Sequence, residues 1–394
     1  MFRNTTITRY RESREASAFN IMRFLMSRQK AFNWHKRKTL RWGVSTSGLS
    51  LRVKDVGPIA GELRLELDVP VTILTGETGT GKSFLLRLLS MLLRELRQPL
   101  DARALESELM NEFGHPRHIV HEGAGEGEVE LSYEDGVLVG LRVRERPIGF
   151  GGPDKLRAEF IEIDKERGGS QPYAELASRS LMAPDERVPL VRQVLLKGHY
   201  YYTTPSTDAY CSLLAEMRIK NHWLLEEMLA PLIEEGLIPR VRSYFDRGLV
   251  AGHDAHMASS AALSLISLAP IAYRLSEGRA LLVAVDTVEL HLTPLLQAAT
   301  AVDLARRAKK CWEESEEYPI PLLLVTHSSI VLSALLTEVE EGAKDKLVRL
   351  GEEYRLKSED VKTVILYRKD GIVNYDVTQG ITQPSYLREY ARFL

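Results

Sequence analysis

Val71-Thr72-Ile73-Leu74-Thr75-Gly76-Glu77-Thr78-Gly79-Thr80-Gly81-Lys82-Ser83-Phe84-Leu85-Leu86-Arg87-Leu88-Leu89 decides how the rest of this 394-residue chain is read. The β-branched apolar run at 71–74 reads as a strand, Gly76 to Ser83 fits G-x-x-x-x-G-K-S, and the leucines that follow recur at helical spacing. Glycines let the backbone wrap a phosphate chain closely, so that N–H groups point inward at the mouth of a helix whose dipole favours anions. In that arrangement Lys82 meets the β- and γ-phosphates, and the Ser83 hydroxyl ligates Mg²⁺. Gly76, Glu77, Thr78, Gly79, Thr80, Gly81, Lys82 and Ser83 are therefore the candidate nucleotide-binding residues. A glycine-rich turn without a ligand is the plain alternative. Strand before and helix after are the context that separates the two.

Upstream, Leu49–Val56 and Leu63–Leu67 alternate apolar and polar residues across a Gly57-Pro58-Ile59-Ala60-Gly61 break, the pattern of paired strands. Residues 1–50 carry eleven Lys and Arg against Glu12 and Glu15, a surplus of nine, so the remainder stands at −11 in a chain of net charge −2. Such an arm suits nucleic acid or an acidic partner. It is also Arg-rich like an organellar transit peptide, or it is a disordered upstream extension with Met22 or Met26 as the start. The hydrophobic share of 44% and charged share of 27% are those of an ordinary globular protein. Cys211 and Cys311 are far apart, which indicates no disulfide framework or zinc site and fits a reducing, cytoplasmic setting. No apolar window is long enough for a membrane span.

Downstream, 101–113 is a second helical pattern, and 118–133 with 137–143 reads as a hairpin around Glu134-Asp135-Gly136. Residues 150–190 are rich in Gly, Pro and charge and read as an irregular transition. Residues 209–237 read as a helix, giving a helical region of about 155–245 with no sustained heptads. His115, His118 and His121 straddle Pro116 and cannot share one helical face, which argues against a metal cluster.

The second half adds chemistry. A buried-strand run at 279–286 ends on Asp286, where an acid can join a Mg²⁺ shell, although strands also end in Asp for turn reasons. Met257-Ala258-Ser259-Ser260-Ala261-Ala262 opens an apolar helix with serine hydroxyls and free N–H groups. Pro319–Val325 is another buried strand, ending in Thr326-His327-Ser328.

This order of motifs resembles the ABC-type ATPases. It is nearest to the branch of structural-maintenance-of-chromosomes, DNA-repair and overcoming-lysogenisation-defect ATPases, over about Leu49 to Leu336. The Val56-Gly57-Pro58-Ile59 turn, the Tyr201-Tyr202-Thr203-Thr204-Pro205 run and Glu289-Leu290-His291-Leu292-Thr293-Pro294 are similar to stretches of the repair and defence members. The resemblance implies an α/β P-loop NTPase core of ABC-head type, a mixed sheet flanked by helices with an inserted helical lobe. The implied division is a basic extension at 1–45, a first core part at 46–150, a mostly helical insertion at 151–245 and a second core part at 246–394.

It also implies ATP and Mg²⁺ as ligands and a homodimer through the nucleotide sites. Ser259 and Ser260 would touch the γ-phosphate held by a second subunit, Asp286 would hold the Mg²⁺ shell, and His327 would sense the γ-phosphate. Roles in DNA repair, chromosome maintenance or defence follow the branch, with nucleic acid and a second protein subunit as candidate partners. With 67 residues after His327, no appended nuclease domain is expected.

Several positions depart from the pattern. The family's catalytic glutamate after the Walker B aspartate is Thr287 here, which cannot accept a proton at neutral pH. Glu289 would point the same way as Thr287 if the strand continued, and so could stand in as the base. Otherwise the chain is a nucleotide-gated scaffold with little or no hydrolysis. Ser260 is followed by Ala261 rather than glycine, Gln98 and Gln171 are poorly placed for a Q-loop glutamine, and Ser206-Thr207-Asp208 stands where an arginine is common. A P-loop kinase is the remaining rival, and it would leave Asp286 and His327 without a role.

Overall fold

The computed structural model describes residues 48–96, 102–115, 118–134, 136–146, 155–162, 171–197, 204–220, 230, 234, 249–250, 253–254, 260–315, 318–342, 350 and 352–382. The basic arm at 1–45, the tyrosines at 201–202 and Ser259 fall outside them.

Strands β1 (Leu49–Val56) and β2 (Ile59–Leu67) pair antiparallel around Gly57-Pro58, with Leu49, Leu51, Val53, Leu63, Leu65 and Leu67 on the buried face. After β3 (Val71–Gly76) come helix α1 (Lys82–Glu95) and helix α2 (Ala102–Phe113). Strands β4 (Glu126–Tyr133), β5 (Gly136–Arg146) and β6 (Lys155–Glu162) extend the first pair into a five-stranded antiparallel sheet, ordered β2-β1-β4-β5-β6. Helix α3 (Gln171–Arg179), strand β7 (Leu181–Ala183), helix α4 (Arg187–Lys197) and helix α5 (Asp208–Lys220) follow.

The two-residue strands β8 (Leu249–Val250) and β9 (His253–Asp254) form a small pair. Then come α6 (Ser260–Glu277), β10 (Val283–Val285), α7 (Pro294–Glu314), β11 (Leu322–Val325), α8 (Ser329–Glu340), β12 (Val361–Lys369) and β13 (Ile372–Gln379). The second sheet has the order β13-β12-β3-β11-β10-β7, parallel throughout except for the β12–β13 hairpin.

This is an α/β core with a mixed sheet flanked by helices. Its strands β3, β7, β10 and β11 are apolar runs because both faces are covered, whereas the β12–β13 hairpin is partly exposed. Side chains alternate between the faces with period two. Ile73, Leu322, Leu324, Val283 and Val285 face one cluster with helices α4 to α8, whereas Leu74, Leu323, Val325 and Ala284 face the other. That second cluster also holds the inward face of β1, β2, β4 and β5, so α1 lies between two sheets. Burial on more than one side explains its leucine density: Leu85, Leu86, Leu88, Leu89, Met91, Leu92 and Leu93 are all buried.

Two expectations are corrected. The described residues of 150–190 are not an irregular transition. β6 completes the antiparallel sheet, and β7 is the edge strand of the nucleotide-side sheet, paired with β10. Leu181-Met182-Ala183 is three residues without β-branching, too short for a periodicity signal, and only pairing makes it a strand. Helix α8 ends at Glu340, with Glu341 as its C-cap. The strand carrying Asp286 is shorter than expected, Val283–Val285, and it does not continue beyond the acid.

Candidate functional site

The P-loop is built as its sequence demands. Gly76, Gly79 and Gly81 take φ of 130°, 77° and 94°, values that L side chains rarely adopt. Close approach adds to this at Gly76, where a Cβ would lie 1.9 Å from the Leu366 carbonyl oxygen of β12. That carbonyl also accepts from the Glu77 N–H at 3.0 Å. The β12–β13 hairpin holds the loop from outside: the Arg368 N–H donates to the Glu77 carboxylate at 3.0 Å, and its guanidinium donates to the Gly79 carbonyl at 2.9 Å.

Lys82, the first residue of α1, is buried and folds back, donating to the Gly76 carbonyl at 3.1 Å and the Glu77 carbonyl at 2.5 Å. Burial pushes its ammonium down to about 8, against the opposing pull of Asp286 and Glu77.

The acid end is assembled from distant segments. Asp286 leaves β10 with its N–H on the Ala183 carbonyl of β7 at 2.8 Å, and it is 1% exposed. Burial lifts its carboxyl above the ordinary range, while a hydrogen bond from the Ser83 hydroxyl pulls the other way. Ser83 and Asp286, 203 positions apart in sequence, therefore meet. Hydroxyl and carboxylate oxygens are the donor set a hard divalent cation takes, so these residues fit Mg²⁺.

The exit of β7 is next to this contact. One turn after Ser83, Arg87 holds Asp185 at 3.2 Å and Glu186. Arg187, completely buried, donates to the carbonyls of Asp286 (2.6 Å), Thr287 (2.7 Å), Pro184 (3.3 Å) and Val288 (3.4 Å). Sequence reading missed Arg187. The motif-like signal was present in Pro184-Asp185-Glu186-Arg187, but the neighbouring strand that gives it meaning was not recognised.

Glu289 does not stand where a continued strand would put it. Thr287 turns the chain with φ 54°, and the Leu290 N–H closes onto the Thr287 carbonyl at 3.0 Å. The Glu289 carboxylate instead accepts from the Thr326 hydroxyl at 2.8 Å and the His327 N–H at 2.7 Å. The condition under which it would share the direction of Thr287, a strand continuing past Asp286, is not met: β10 ends at Val285 and Thr287 is left-handed.

Around the end of β11, Ser328 caps α8, accepting from the N–H groups of Ile330 and Val331, and donates to the Gln297 side chain at 2.7 Å. The His327 ring faces the P-loop. Partial burial and then the nearby Lys82 ammonium lower its pKa, opposed by Glu289 and by a hydrogen bond with the Gly76 backbone.

The site thus brings Lys82, Ser83, Asp286, Glu289 and His327 into one neighbourhood of the sheet's C-terminal edge. Ser260 opens α6 and is exposed. Farther along the same helix, Ser264 donates to the Leu290 carbonyl of the turn after Asp286. His118 and His121 bond the carbonyls of Phe113 and Gly57, and no metal-type cluster occurs among the described residues. Among the described residues no helix is long and apolar enough to cross a membrane.

No protein-family model matches this chain, and no curated protein matches it. Solved structures are similar in part. An SMC head bound to the C-winged helix domain of ScpA is 14% identical with a TM-score of 0.43, covering 84% of this chain and 97% of that one. The SMC head domain from Thermotoga maritima is 12% identical with a TM-score of 0.40, over 84% and 99%. An Smc head with an extended coiled coil, bound to the C-terminal domain of ScpA derived from Pyrococcus furiosus, is 13% identical with a TM-score of 0.42, over 88% and 98%.

Proposed function

We propose that this chain is a nucleotide-driven head: it binds Mg·ATP in the P-loop, closes head-to-tail with a second copy and hydrolyses the nucleotide to open again. The observation that carries this reading is that Ser83 and Asp286 come within reach of each other, with the buried Lys82 ammonium drawn toward the same carboxylate. A strand–turn–helix alone needs no partner acid from the far end of the chain. Bound Mg²⁺ would neutralise phosphate charge and orient the terminal phosphate. Lys82 would leave the Gly76 and Glu77 carbonyls for phosphate oxygens, and His327, near the same loop, would meet the terminal phosphate. Adenine as the base, and Ser259 with Ser260 as the contact to the partner's nucleotide, come from the resemblance; exposure of Ser260 at a helix start is compatible with it.

A second reading has its own observation. Both oxygens of Glu289 are engaged by Thr326 and His327, and Thr287 occupies the usual base position. A chain so arranged holds ATP without turning it over and acts as a nucleotide-gated scaffold. Phosphate release from purified protein with Mg·ATP separates the two. The leading reading expects turnover that is lost in both Lys82→Ala and Glu289→Gln. Retained ATP with no release supports the scaffold, and absence of nucleotide binding in the unaltered protein sinks both. The basic arm is proposed as a salt-sensitive, sequence-independent nucleic-acid contact, and binding that survives deletion of residues 1–45 removes it.

A further inference from the structure

Arg187 is the most costly side chain to bury near the site. A guanidinium with no exposure and no carboxylate hydrogen-bonded to it loses its hydration with only the longer-range attraction of Asp286, Glu289 and Asp185 in return. Among the described residues its bonds go to carbonyl oxygens alone, and its Nε has no partner. An apolar residue of similar volume would pack more favourably, so packing does not account for it. The targets do. Three of the four carbonyls are consecutive, Asp286, Thr287 and Val288, in a turn that left-handed Thr287 takes out of any ladder. Among the described residues, only the Thr287 carbonyl of these has a backbone donor as well, the Leu290 N–H, and a planar fork with five N–H groups reaches all three carbonyls from one direction.

The fourth carbonyl, Pro184, closes the clamp onto the exit of β7, and Arg187 itself is the first residue of α4. We propose that Arg187 is the positioning residue of the acid end: its guanidinium fixes the turn that presents Asp286 to the nucleotide-bound cation and Glu289 to the end of β11. This rests on the reading of the P-loop as a Mg·nucleotide site. It adds that the cation's protein ligand is held in place by α4 rather than by its own strand.

Lysine keeps the charge but cannot span four carbonyls. The test measures affinity for a fluorescent ATP analogue in EDTA and in Mg²⁺ for the unaltered chain, Arg187→Lys, Arg187→Gln, Asp286→Asn and the Asp286→Asn/Arg187→Lys double variant. Residues that orient metal ligands are worth about ten- to hundredfold in metal-dependent function. Arg187→Lys is therefore expected to lose about that much of the Mg²⁺-dependent gain, with affinity in EDTA unchanged within about threefold. In the Asp286→Asn background it should change the gain by less than about twofold, because the two act as one unit.

A merely structural role lowers affinity equally in both conditions or adds independently to Asp286→Asn, and either result overturns the proposal. Full Mg²⁺ dependence in Arg187→Lys does the same. Arg187→Gln, with a smaller neutral fork, supplies the same comparison if the lysine variant does not fold. If the unaltered chain binds no nucleotide while remaining folded, the site reading fails and this inference with it. Normal binding with intact Mg²⁺ dependence in the variants removes the inference alone.

Discussion

The two ends of the site are constructed in opposite ways. The P-loop end is eight consecutive residues, Gly76 to Ser83, whose shape is set by three positive-φ glycines and by the backbone of β12 at Leu366. The acid end gathers Arg187, Asp286, Glu289 and Thr326 from two strand exits and a helix start. Side chains reaching for backbone hold it together: guanidinium to carbonyl, carboxylate to N–H. A site half made of backbone and half of side chains should fail in two different ways. The P-loop end should be intolerant of any added Cβ yet indifferent to its exposed side chains. The acid end should tolerate backbone-neutral changes but respond to the loss of single polar groups.

The largest expected effect tests the backbone half. Gly76→Ala places a Cβ 1.9 Å from the Leu366 oxygen, at φ 130° and in the middle of the sheet. Either the β3–β12 pairing parts or the loop is rebuilt. The expected loss of stability is above about 4 kcal/mol, the range reserved for a named steric or packing failure. Thr78→Ala, at an exposed loop position, should stay within about 0.5 kcal/mol. Denaturant unfolding of the two variants decides it. A Gly76→Ala protein that melts like the unaltered chain would break the contrast between the ends.

Legibility in the sequence follows the same division. The P-loop was readable because every constraint lies within one stretch: β-branched Val71 to Ile73 for the strand, glycines at fixed offsets, leucines at helical spacing. Buried strands β10 and β11 were readable as apolar runs, and Asp286 as the acid at the end of one. Glu289 was visible as a residue but not as a geometry, since a left-handed Thr287 has no sequence signature outside glycine and asparagine. β7 was the main loss. Three residues between a helix and a Pro-Asp-Glu turn carry no period, and without β7 nothing pointed to Arg187. The tyrosine-rich run at 201–205 is the more conspicuous stretch in sequence, yet Leu181–Arg187 borders the acid. Pro205 and Ser206 lie in a turn docked on α1 by Arg94 and Ser90 and on α2 by Glu112.

A middle-sized effect sharpens the side-chain half. If Glu289 is a brace between the turn and β11, Thr326→Val removes one of its two donors and should cost about 1.5–3 kcal/mol, as for a hydrogen bond to a charged group. Glu289→Gln should cost a similar amount. A double-mutant cycle on unfolding should show the two coupled, the pair together costing less than the sum of the singles. If Glu289 is instead a general base, Glu289→Gln depresses phosphate release strongly while Thr326→Val leaves it nearly intact. Independent stability effects would show that the hydrogen bond to Thr326 contributes nothing to the fold.

The smallest effect concerns the residue that touches both ends. The His327 ring bonds the Gly76 backbone and feels the Lys82 ammonium, while its backbone N–H is on Glu289. Its pKa is lowered from 6.5, first by partial burial and then by Lys82, with Glu289 and the Gly76 backbone opposing. A depressed pKa means the folded state holds fewer protons than the unfolded one. The associated stability is fully present above pH 6.5 and is lost as the pH falls through the folded value. Because the ring is more than a third exposed, solvent screens the shift and the slope is shallow.

Urea midpoints should therefore fall between about pH 6.5 and 5 more steeply for the unaltered chain than for His327→Gln. Anion at the P-loop supplies the discriminating condition. A phosphate chain beside Lys82 and His327 favours the imidazolium, so saturating nucleotide should flatten the slope of the unaltered chain toward that of the variant. Equal slopes with and without nucleotide would mean that the ring does not face the phosphate. His327 would then belong to the acid end alone, through its backbone.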